Sequence, residues 1–68
     1  MKTTELIPAL LAEFADNIRM FKGLPKTEQN VKAASTLIDL YTGRLQLLDL
    51  SLSQTDARGR LREIYLTL

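Results

Sequence analysis

The 68-residue chain contains no cysteine and no histidine. Without thiols no disulfide can brace it, and without thiolate or imidazole the usual ligands of zinc are gone. The same absences remove the commonest general base and the commonest thiol nucleophile. Its three glycines, Gly23, Gly43 and Gly59, stand alone, so no glycine-rich loop cradles a phosphate. Long apolar runs are missing too: the apolar part of MKTTELIPALLAEFADNIRM is bracketed by Glu5 and Glu13, too short for a membrane span and too acidic for a secretory signal. Neither sign of charge dominates, with a formal net charge of +1. Residues 1–43 carry five basic and five acidic groups, and residues 44–68 carry four and three. Dedicated nucleic-acid binders are far more basic. These absences point to a cytoplasmic protein with no membrane partner, no metal and no cofactor.

What is present is enough to fold. Apolar residues make up 46% of the chain and charged residues 25%, too hydrophobic a balance for intrinsic disorder. The length allows a single domain, residues 1–68. A core of this size supplies only about 3–5 kcal/mol, and small proteins add disulfides, a metal or association to it. With the first two excluded, association is the expected support.

Ile7, Leu11, Phe14, Ile18 and Phe21 recur at alternating steps of four and three, with Leu10 and Ala15 widening the stripe. That is one face of a helix, predicted over residues 4–22. Thr3 or Thr4 caps its start, Pro8 is tolerated near the first turn, and Gly23 with Pro25 stops it. The connection is short, so the next helix is an antiparallel neighbour. Thr27 caps a second helix predicted over residues 28–52, in which Val31, Ala34, Ile38, Tyr41, Leu45, Leu48 and Leu52 fall at steps of three and four. A second row, Ala33, Leu37, Leu40 and Leu47, lies beside that coiled-coil-like seam and asks for more than one neighbour. Gly43 interrupts the helix at a cost of about 1 kcal/mol relative to alanine, which marks either a close helix crossing, the favoured reading, or a short break after Tyr41 and Thr42.

Residues 45–52, LQLLDLSL, nearly alternate like a strand, but Leu47-Leu48 breaks the period and leucine favours helix. Ser53 then caps a third helix, residues 54–67, either separate from the second or fused to it, with Asp56 suited to its N-terminal dipole. Ala57, Leu61, Ile64, Tyr65 and Leu68 carry an apolar stripe to the last residue. The expected fold is all-α: an antiparallel helical hairpin plus a C-terminal helix, completed by oligomerisation.

Reactive groups do not converge. Asp39 and Asp49 lie ten positions apart, about 15 Å along one helix, too far to share a substrate. Glu13 and Asp16 are i,i+3 neighbours on a polar face, where solvated charges are the ordinary occupants. Tyr41 and Tyr65 sit on apolar stripes and read as core or interface residues with polar tips. The first helix is amphipathic, but its polar face carries Glu5, Glu13 and Asp16 in place of the lysines and arginines of a membrane-surface helix.

The resulting expectation is a non-enzymatic adaptor, regulator or small chaperone that self-associates, as a dimer in the first instance, and contacts a protein partner. The hairpin seam is assigned to Phe14, Ile18 and Phe21 with Ile38, Tyr41, Leu45 and Leu48. The partner-contacting group is Leu52, Leu61, Ile64, Tyr65 and Leu68. A competing reading rests on residues 50–64, LSLSQTDARGRLREI. The Leu-x-Leu-Ser-Gln start, the small Ala57 and Leu61 four places on resemble the turn and recognition helix of helix-turn-helix DNA-binding proteins. The resemblance implies a small transcriptional regulator in which Gln54, Thr55, Arg58 and Arg62 face the major groove or its phosphates. The sequence departs from that pattern at Ser51, where the turn usually has glycine, and at Gly59 within the recognition helix.

Overall fold

A computed structural model describes residues 3–68, with side chains from Glu5 onward. It contains three helices and, among the described residues, no strand: α1 spans Thr3–Lys22, α2 Glu28–Leu48 and α3 Gln54–Thr67. The body measures 38 × 20 × 16 Å. All three helix pairs touch, and α3 lies more against α2 than against α1.

Local chemistry sets most of the ends. The Thr27 hydroxyl accepts the Asn30 amide at 3.2 Å, and the Ser53 hydroxyl accepts the Asp56 amide at 3.1 Å, so both later helices begin on side-chain caps. The capping assigned to Thr3 or Thr4 lies outside the described side chains. Asn30 Nδ2 also donates to the Pro25 carbonyl at 2.9 Å, fixing the connection after Gly23 against the first turn of α2.

The second helix ends at Leu48, four residues short of the expectation. Asp49 leaves helical geometry at φ −131°, and its carboxylate accepts both the Ser51 amide at 3.1 Å and the Ser51 hydroxyl at 2.5 Å. The Leu52 amide then donates to the Asp49 carbonyl at 3.2 Å and closes a tight turn. Aspartate and serine offered the backbone a local alternative, and it outcompeted the helix propensity of the surrounding leucines. The last two helices are therefore separate.

The core is Leu10, Phe14 and Ile18 from α1, Ala34, Ile38, Tyr41 and Leu45 from α2, and Ala57 and Leu61 from α3. Phe21 and Leu48 are half-buried at its margins. Phe14 and Tyr41 meet as tilted rings with centroids 5.3 Å apart, within the favourable edge-to-face range. Thr42 is buried beside them and satisfies its hydroxyl by donating to the Ile38 carbonyl at 2.7 Å. Between α1 and α2, Glu13 meets Arg44 while Asn17, further along α1, meets Tyr41, earlier on α2; the two helices run antiparallel.

Two expectations change at this level. Gly43 is not a crossing point between helices of this chain: it is exposed, and a Cβ there would meet nothing within 4 Å among the described residues. The row of Ala33, Leu40 and Leu47 does not flank the core either; these residues are exposed, and only Leu37 packs against it. The third helix packs on α2 elsewhere and leaves this row uncovered.

Candidate functional site

The C-terminal apolar group divides on folding. Leu61 has no exposed surface at all, because α3 folds back and sets this side chain into the cleft between α1 and α2. It is a core residue, and its assignment to a partner contact is corrected. Leu52, Ile64 and Tyr65 are half-buried against the same core, and Leu68 remains exposed. What is left of this group is a margin and not a face.

The four residues assigned to nucleic acid do come together. Gln54, Thr55, Arg58 and Arg62 are all exposed and, with Gly59, line a shallow hollow of about 310 Å³ on α3. Next to it a groove of about 450 Å³ between α2 and α3 is lined by the buried Ala34 and Ile38, the exposed Val31, and the cations Lys26, Arg58 and Arg62. Arg58 is not a free cation, since its guanidinium donates to the Asp39 carboxylate across the groove. Tyr65 closes the far end. Its hydroxyl accepts Lys26 Nζ at 3.1 Å, while Lys22 Nζ stands 5.2 Å and Lys26 Nζ 5.5 Å from its ring centroid. Cations at that range are attracted by the negative face of the ring. Lys22 and Lys26 were not singled out from the sequence. Nothing in their local pattern ties them to a tyrosine about forty positions away.

On the opposite flank, Tyr41 organises polar chemistry at the α1–α2 seam. Its hydroxyl accepts Asn17 Nδ2 at 2.7 Å, which leaves its own proton for the Glu13 carboxylate. That donation, with the Arg44 guanidinium 2.5 Å away, holds the Glu13 carboxyl below its ordinary value. Glu13 in turn raises the Arg44 guanidinium, which also lies over the Tyr41 ring at 4.9 Å. Asp49 is likewise lowered, first by the Ser51 hydroxyl, then by the Ser51 amide. Each of these shifts serves a hydrogen bond within the fold. Among the described residues no three acidic side chains converge as metal ligands would, and no helix is long and apolar enough to cross a membrane.

The largest anomaly is the outer side of α2. Leu40 is 59% exposed and Leu47 77% exposed. Seven residues bring a helix back to the same face within about 20°. Ile38 and Leu45, equally seven apart, point into the core, so Leu40 and Leu47 point away from it. Around them stand Ala33, Thr36 and Gly43, all exposed and small. The stripe is uncharged and has an ion pair on either edge, Glu13–Arg44 on one and Asp39–Arg58 on the other. Beyond Leu47 a second groove, of about 360 Å³ and lined by Leu6, Ala9 and Leu48 among others, extends the apolar surface onto α1. No family model, no curated protein and no solved structure matches the chain.

Proposed function

We propose that the protein is a non-enzymatic helical adaptor, regulator or small chaperone of the cytoplasm, acting through self-association and protein–protein contacts. One observation carries the reading: α2 presents Leu40 and Leu47 on the side directly away from its own core. A helix that is apolar on both sides is a helix with neighbours on both sides. The inner side has them within the chain. The outer side has an apolar centre and a charged rim, the anatomy of a protein contact surface.

A second reading, a small helix-turn-helix-like DNA-binding regulator, is favoured by the gathering of Gln54, Thr55, Arg58 and Arg62 on one hollow of α3. Two facts weigh against it. Arg58 is already engaged by Asp39, and a chain of net charge +1 has little to offer a phosphate backbone.

One comparison separates the two. Leu40→Asp with Leu47→Asp keeps the helical circular dichroism and the cooperative melt, because neither side chain is in the core, but abolishes protein association in light scattering. Arg58→Ala with Arg62→Ala leaves association intact. If instead the arginine pair controls a duplex-DNA complex that weakens steeply between low and moderate salt, the DNA reading replaces the contact reading.

A further inference from the structure

The outer stripe of α2 contains a feature that the folded chain does not explain. Gly43 lies in mid-helix without positive φ, and open space surrounds its Cα on the outer side. Glycine there costs about 1 kcal/mol against alanine. Nothing among the described residues comes close enough to require it.

Resting on the reading of α2 as a protein-contact helix, we infer that its outer face pairs with the same face of a second copy of this chain, antiparallel, each Leu40 seated over the other copy's Gly43. An isologous two-fold interface demands that residue i meets j and j meets i. Place the two-fold axis level with the Tyr41–Thr42 peptide, and this condition is met along the stripe. Leu40 stands opposite the partner's Gly43 and Leu47 opposite the partner's Thr36. Both leucines meet a small residue. That alternation of large against small lets two helices interdigitate closely.

Charge agrees with the pairing. The stripe has no ionised group to repel its own copy, Arg44 and Asp39 on its edges are neutralised by Glu13 and Arg58, and Lys32 sits on the Asp39 edge without facing its own symmetry mate. The glycine then has a use: it is the hole that receives the leucine.

Cysteine cross-linking tests the pairing directly, since the chain has no cysteine of its own. Leu40→Cys and Gly43→Cys chains are mixed and mildly oxidised, and the disulfides are counted by mass. Only cysteines with Cα atoms within about 7 Å close readily, so the mixed 40–43 disulfide is expected to exceed each homodisulfide several-fold. Leu40→Cys or Gly43→Cys homodisulfides in excess over the mixed species overturn the antiparallel register. As a check without cysteine, Gly43→Leu fills the hole and reduces the dimer fraction in sedimentation, whereas Gly59→Ala, an equally exposed helix glycine, does not. An unmodified protein that sediments as a monomer at about 100 μM, near −5.5 kcal/mol for a dissociation constant of that size, overturns the self-pairing. The broader contact reading then rests on whether Leu40→Asp abolishes co-purification of a different protein. If it does, that reading stands; if nothing is lost, it falls as well.

Discussion

Leu61 and Leu40 are the same residue type, each on a periodic apolar stripe, and folding sends them in opposite directions. Periodicity says that a helix face is apolar; it does not say whether that face meets its own chain or another. Leu61 meets its own chain and is wholly buried, while Leu40 meets solvent. Truncating a buried leucine loses both its transfer free energy and the packing around the cavity, about 2–5 kcal/mol. For a domain this small that is most of its stability. Leu61→Ala is therefore expected to abolish or strongly lower the cooperative thermal melt, whereas Leu66→Ala, on an exposed position of the same helix, leaves it unchanged.

At the scale of the element, the stripe of α1 and the inner row of α2 from Ala34 to Leu48 are legible because three-four spacing maps directly onto a helix face; Val31, on the same row, is exposed, and Leu52 lies past the helix end. The caps at Thr27 and Ser53, where a hydroxyl precedes a helical run, are legible too. The end of α2 is not. The signal lies in Asp49 and Ser51, whose side chains bond each other and the backbone, but the five leucines of residues 45–52 argue for helix more loudly than one aspartate argues for a turn. Asp49→Ala with Ser51→Ala removes that turn and lets α2 propagate. Helical circular dichroism is expected to rise while the melting temperature falls, since a longer α2 carries α3 away from its seat on the core. Unchanged stability would mean that Leu52 and the Ser53 cap set the turn without Asp49. The side that α3 takes on α2 is equally absent from the linear pattern, and with it the juxtaposition of Lys22 and Lys26 with Tyr65.

The whole molecule has an acid limit and little else in its response to pH. It lacks histidine, so no side chain with an ordinary pKa changes charge between about pH 5 and 8. Glu13 and Asp49 are both held lower in the folded chain than in the unfolded one. Their contribution is complete above the unfolded values, about 4.3 and 3.9, and is lost as pH falls through the folded ones. The melting temperature is expected to be flat from about pH 5.5 to 7.5 and to decline below about pH 4. Glu13→Gln should flatten part of that decline, and a fall of equal size in this variant would place the acid sensitivity elsewhere.

The two tyrosines and the lack of tryptophan give the molecule an optical division of labour. Tyr41 is sealed into the seam with Phe14, and Tyr65 lies half-open beneath two lysines at the end of α3. Ultraviolet emission from the folded chain thus has one source inside the hairpin and one where the third helix docks. With Tyr65 replaced by phenylalanine the remaining light belongs to the hairpin, and with Tyr41 replaced it belongs to the docked end of α3.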